Sequence, residues 1–330
     1  MKLFKLLVFA LTTLCFTSCS SDDNDTTTSG KDPETTKIPL TIEVAENPLV
    51  NPEAQSQAPA TRAAITTTST LEEFKINYVY KDGSNADPNT NNTHIKAIKT
   101  GEGKWEADGS WPTAEYPIDW YAYSNGAFND PNDPYISFEV EENSAVQKDL
   151  LVAKASVMYS GDGSVIHFTL NHACTALRFY VKKATNLADY TLSITNLQLC
   201  NVIKSGRYYY GSNSWTLDSN RANYTLYSGS GKTLGTTEYE PLDNSDGPYL
   251  FMIPQVLTPW GGTTDISSAT AQSYIQLTCT ITQTSDNHQI YSGTAYIPFG
   301  TNLTAGYQHD VKINIGKNSL YSSANTKIIQ

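Results

Sequence analysis

The stretch Ile166-His167-Phe168-Thr169-Leu170-Asn171-His172-Ala173-Cys174-Thr175-Ala176-Leu177-Arg178-Phe179-Tyr180-Val181 decides the fold. Its first half places apolar side chains at 166, 168 and 170, its second half at 177, 179 and 181. Successive side chains leave a strand on opposite faces, so period-two alternation marks a half-buried strand. The switch from even to odd positions demands a bulge or a turn, and residues 172–176 are where it must sit. Outward from this stretch the pattern recurs. Phe74, Ile76, Tyr78 and Tyr80 form one face and stop at Asp82-Gly83, a hairpin-type turn. Ile118, Trp120 and Ala122 form another, as do Ile136, Phe138 and Val140, and later Ile275, Leu277, Cys279 and Ile281. No window of helical length carries an apolar stripe of period 3.6. Many short strands at this spacing predict an all-β chain of β-sandwiches. The polar Gly161-Asp162-Gly163 marks the boundary between two of them in tandem, at 63–160 and 161–330, the second ending in a short tail.

Composition agrees. The chain has 330 residues, and 22 Lys+Arg against 33 Asp+Glu give a net charge of −11, which argues against holding nucleic acid by phosphate neutralisation. Hydrophobic residues make up 39% and charged residues 17%, with 21 Tyr among the rest. Thr and Tyr suit pleated, half-buried positions, and the expectation is an extracytoplasmic protein.

Lys2 and Lys5 precede an apolar run from Leu6 to Phe16, too short to cross a bilayer as a helix but suited to a signal peptide over residues 1–18. An apolar run ending in Thr17-Ser18-Cys19 resembles a bacterial lipobox, in which Cys19 carries the lipid anchor; Phe16 departs from the usual Leu. Cleavage of an ordinary secretory signal nearby is the alternative. Asp22, Asp23 and Asp25 resemble the signal that sends Bacteroidetes lipoproteins to the outer face of the outer membrane. Residues 19–36 read as a disordered tether, residues 37–62 as a separate segment. Within it Ile38, Leu40, Ile42 and Val44 alternate with polar neighbours, a short half-buried strand with Pro39 suggesting an edge position. A polar, Pro-containing stretch then runs from Glu46 to Thr61 and ends at Arg62-Ala63-Ala64.

Motifs for catalysis, cofactors and metals are lacking. His167 and His172, five residues apart on one strand, face opposite sides unless a bulge intervenes, and both read as structural. Gly229-Ser230-Gly231-Lys232-Thr233 resembles the end of a P-loop, but Leu226 stands where the upstream Gly is required. There is no G-x-S-x-G and no H-E-x-x-H. Cys174, Cys200 and Cys279 are odd in number and lack C-x-x-C spacing; Cys279, in phase with its apolar neighbours, reads as a small buried hydrophobe, and one disulfide among the three stays open. Trp120 sits on an apolar phase; Trp105, Trp111, Trp215 and Trp260 lie near Gly, Pro or Ser, where an exposed indole would stack on sugars, although most are expected to be ordinary packing residues.

Six segments, in order, resemble the fimbrillin family of Bacteroidetes, the two-domain lipoprotein pilins. They are Ala60-Thr61-Arg62-Ala63; Ser110-Trp111-Pro112 with Ile118-Asp119-Trp120-Tyr121-Ala122-Tyr123; Asp149-Leu150-Leu151-Val152-Ala153; Phe168-Thr169-Leu170-Asn171-His172-Ala173 leading to Leu177-Arg178-Phe179; Phe251-Met252-Ile253-Pro254-Gln255; and Leu303-Thr304-Ala305-Gly306-Tyr307. The resemblance implies two transthyretin-like, Greek-key β-sandwich domains. It implies that an arginine-specific protease cuts between Arg62 and Ala63, removing a prosegment whose displaceable strand holds Ile38, Leu40, Ile42 and Val44. The open groove left behind would accept a strand from another fimbrial subunit. The expected protein is a structural or adhesive subunit, stalk or tip, of surface fimbriae, with no catalysis, no cofactor and no metal. Its expected partners are other subunits, outer-membrane lipid through Cys19, and a host protein or glycan receptor. A glycan-binding outer-membrane lipoprotein of the same sandwiches is the second reading. A hydrolase, the third, needs a cleft with two carboxylates about 5–9.5 Å apart.

Overall fold

The computed structural model describes residues 38–50, 71–81, 94–112, 117–161, 163–241, 250–261 and 265–321. Cys19, Arg62 and Ala63 lie outside them, as do residues 322–330 of the tail. The described residues are all-β, as expected, and no helical turn among them exceeds three residues. In chain order the first strands are β1 (Ile42–Glu46), β2 (Glu73–Tyr80), β3 (Ile95–Gly101), β4 (Lys104–Ala107), β5 (Ile118–Tyr123), β6 (Ala127–Asn129), β7 (Tyr135–Glu139), β8 (Leu151–Val157) and β9 (Ile166–His172). There follow β10 (Thr175–Lys183), β11 (Tyr190–Ile203), β12 (Ser205–Tyr209), β13 (Ser214–Leu217), β14 (Arg221–Thr233), β15 (Glu240–Pro241) and β16 (Leu250–Met252). The last are β17 (Val256–Leu257), β18 (Tyr274–Gln283), β19 (Gln289–Pro298), β20 (Thr301–Asn302) and β21 (Gln308–Ile315).

Seven strands form one sheet in the order β1-β9-β8-β5-β2-β3-β4, with β1 and β9 parallel. Three four-stranded sheets follow: β14-β11-β18-β19; β13-β12-β7-β6; and β10 with β15 and β16 on one side and β21, parallel, on the other. Apolar side chains gather in two clusters. One holds Leu40, Ile42, Phe74, Ile76, Trp120, Ile166, Phe168 and Leu170; the other gathers Leu177, Phe179, Val181, Leu192, Leu199, Ile275 and Ile281.

The two halves of the opening stretch belong to different clusters. β9 turns Ile166, Phe168 and Leu170 into the first, β10 turns Leu177, Phe179 and Val181 into the second, and the chain crosses between sheets at Ala173-Cys174. The phase switch is that crossing. A second switch, from Leu192 and Ile194 to Leu197 and Leu199, is a bulge in β11 between Ile194 and Asn196, against β14 and β18 alike. The expected boundary at Gly161-Asp162-Gly163 falls between β8 and β9, which pair through Leu151↔His172 and Val152↔Asn171; Asp162 itself lies outside the described residues. Pairing also crosses that point between β7 and β12. In the middle of the seven-stranded sheet both faces are covered: Trp120 and Ala122 of β5 enter the first cluster, Tyr121 and Tyr123 the second, and the Tyr210 hydroxyl donates to the Ala122 carbonyl at 2.8 Å.

Candidate functional site

The segment from Ile38 to Val50 is the candidate site, and its sequence dictates how it docks. Leu40 and Ile42 are buried to 6% and 7% exposure, while Ile38 and Val44 are half-buried against the same cluster. Complete burial of such side chains stabilises by about 1.5–3 kcal/mol each. Thr41 and Glu43 alternate outward. On one side β1 pairs with β9 from Ile42↔Ile166 to Glu46↔Leu170; the Ile166 amide donates to the Thr41 carbonyl at 2.9 Å, and the Asn47 amide to that of Leu170 at 2.9 Å. On the other side Pro39 bridges Ser110, just past β4. There the Leu40 amide donates to the Gly109 carbonyl at 3.1 Å, and the Trp111 amide to that of Ile38 at 2.8 Å. Pro39 has no N–H to give, and the bridge places its donors on its neighbours instead. The segment thus joins the two ends of the seven-stranded sheet, β9 and the strand after β4. Farther on, Leu49 packs on the second cluster and the Val50 amide donates to the Gly306 carbonyl at 2.8 Å, while the Gln308 amide donates back to Val50 at 2.9 Å.

The polar contacts are as ordered as the apolar ones. On the outer face His167 Nδ1 stands 3.0 Å from Glu43 Oε2, both side chains about two-thirds exposed. On the inner face His172 Nε2 lies 3.1 Å from Glu46 Oε1, and His172 Nδ1 contacts Asp149 Oδ2. The two histidines face opposite sides, as their spacing requires. His172 and Asp149 are each 1% exposed and Glu46 10%. Burial alone would lower the His172 pKa, but the hydrogen bonds and charges of Asp149 and Glu46 outweigh it and raise the pKa to about 9. The imidazolium therefore sits between two carboxylates, one from the loop before β8 and one from β1.

Sequence reasoning did not single out Glu46 or Asp149, and read His172 only as structural. The signal was present in phase. Glu46 continues the inward register 40, 42, 44, and His172 continues 166, 168, 170. A charged residue in an apolar register requires a partner, and these two face each other.

None of the five tryptophans is exposed, in line with the expectation of ordinary packing for most of them, and the glycan-binding reading is left without an exposed indole. Trp111, Trp120 and Trp260 are buried, Trp105 packs edge-on to Phe74, and Trp215 packs on Phe138 and Tyr208 while donating Nε1–H to the Ala173 carbonyl at 2.8 Å. Neighbouring Gly or Pro says little about exposure when the indole itself fills a core. A cleft of about 260 Å³ beside Lys75, Asn77, His94, Tyr123 and Phe128 contains no Trp. Cys174, Cys200 and Cys279 are buried free thiols. Among the described residues no three His, Cys, Asp or Glu side chains form a metal-binding group.

The pattern of a family described as fimbrillin-like matches residues 61–328. The chain belongs to the fimbrillin-like family. The expected resemblance is borne out, and with it the class of a fimbrial protein. No curated protein matches this fimbrillin-like chain in sequence. Among solved structures, a fimbrial protein from Bacteroides vulgatus superposes with a TM-score of 0.54 at 17% identity, covering 84% of this chain and 95% of that one, a likeness of fold. A fimbrial assembly protein from Parabacteroides distasonis superposes with a TM-score of 0.40 at 11% identity, covering 86% and 93%.

Proposed function

We propose that this fimbrillin-like chain is a structural or adhesive fimbrial subunit, kept from assembling by its own residues 37–62. The observation that carries this reading is the double pairing of residues 38–46. Withdrawing that segment strips hydrogen-bond partners from both β9 and residues 109–111, and opens an apolar slot where Leu40 and Ile42 were buried. An unpaired sheet edge beside an apolar slot is a template for a strand from another chain. The family match starts at residue 61, so the segment filling the slot lies outside the shared module. Arg62 is the proposed cleavage point, reached through the polar stretch 46–61, and Cys19 the lipid anchor that the cut releases. The precursor would thus be held at the outer membrane until processed, and the mature subunit would act on the cell surface.

The test is digestion of the folded full-length protein with an arginine-specific protease, followed by N-terminal sequencing and unheated gel electrophoresis. The expected result is a new N-terminus at Ala63 and a ladder of oligomers, with Arg62→Ala remaining uncut and monomeric. A protein cut at Arg62 that stays monomeric at high concentration would refute strand exchange as the route of assembly.

A further inference from the structure

An inward alternation of Ile38, Leu40, Ile42 and Val44 does not by itself fix how a strand lies beside β9. A slip of two residues keeps apolar side chains inward, so hydrophobicity leaves such registers nearly equivalent. His172 breaks that equivalence. Its Nε2 lies 3.1 Å from Glu46 Oε1 while Asp149 occupies Nδ1, and its side chain is 1% exposed. With Val44 in Glu46's place the buried ring would lose this ion pair and face a methyl group, its charge answered by Asp149 alone. The same penalty awaits any occupant that is apolar at this position.

We infer that the His172–Asp149 pair is a carboxylate receptor in the floor of the slot, and that it selects a strand from a different fimbrial subunit bearing Asp or Glu where Glu46 now sits. The inference rests on the strand-exchange reading above and adds the chemistry of the incoming strand. Charge complementarity supports it: a buried imidazolium favours an anionic neighbour, because a buried charge left unpaired is costly. Residues 316–330 of this chain contain no Asp or Glu, so this segment of a second copy would offer His172 no side-chain carboxylate. Selection works through the penalty imposed on wrong partners as much as through attraction to the right one.

The experiment uses full-length protein cut by an arginine-specific protease and labelled synthetic peptides of residues 38–50, with Glu46 native or replaced as Glu46→Gln and Glu46→Leu. A peptide of residues 316–330 serves as the competing tail. Fluorescence anisotropy gives each Kd. The native peptide is expected to bind about tenfold tighter or more than the other three, and His172→Gln to level the Glu46 series. If the Gln or Leu peptide, or the tail, binds as tightly as the native peptide, or if His172→Gln still discriminates, the inference is overturned while strand exchange stands. If the cut protein keeps its own 38–50 segment and takes up no peptide, strand exchange is refuted and the inference falls with it.

Discussion

Raising the pH from 6.5 to 8.5 should loosen this protein, and His172 sets the amount. Its pKa is raised from 6.5 to about 9 by Asp149 and Glu46 against the opposing effect of burial. A base with a raised folded pKa binds its proton more tightly in the folded chain, so its contribution is fully present below pH 6.5 and is lost as the pH rises through about 9. At about 1.36 kcal/mol per unit the whole contribution is about 3 kcal/mol, of which about 2 kcal/mol disappears between pH 6.5 and 8.5. The window is chosen to isolate one group. His94, held below its usual pKa by burial and by Lys75 and Lys96, acts below pH 6.5. The buried Cys200 and Cys279 thiols, pushed up to about 12, matter only where an unfolded thiol ionises, near 9 and above. Urea denaturation at several pH values provides the measurement, read as a falling midpoint at constant slope. His172→Gln should start less stable and vary little across the window; Glu46→Gln should retain part of the slope. A wild-type profile flat from 6.5 to 8.5, or one parallel to that of His172→Gln, would refute the reasoning.

Three further outcomes follow from other residues. Ile42→Ala removes a buried side chain from the docked segment and should destabilise it by about 2–4 kcal/mol; hydrogen exchange should quicken at residues 38–46 and stay unchanged in β18. Gly126 has φ of +83°, and a Cβ there would fall 2.5 Å from the Ser137 carbonyl oxygen, so Gly126→Ala should cost about 1–3 kcal/mol and lower the thermal midpoint. Cys174, Cys200 and Cys279 should resist iodoacetamide in the native protein and react in denaturant, as mapped by mass spectrometry.

Strands and fold class were legible because burial in a sheet writes itself into the sequence at period two. Ile275, Leu277, Cys279 and Ile281 alternate in the sequence and all point into the core of β18. The switch between Leu170 and Leu177 was legible as an event but not by its kind, since a bulge and a passage between sheets reverse phase equally well; only the partners of β9 and β10 distinguish them. The pairing of residues 38–40 with 109–111 left no local trace, as pairing over long sequence distance is decided by topology. Glu46 and His172 were hidden differently. Each is polar, and polar residues at the end of an apolar register read as the strand's end until the opposing charge is located. The tryptophans show the converse: Trp260 lies among Pro259, Gly261 and Gly262 in the sequence, yet is 1% exposed.

The slot between β9 and residues 109–111 also has a mechanical meaning. An occupant held by backbone bonds on both flanks and pulled along its own axis must break them together, in shear, rather than peel away one at a time. Resistance to such a pull is a matter of rupture rate more than of equilibrium affinity. A fibre linked through slots of this kind would withstand flow at the cell surface far longer than its binding constants alone imply.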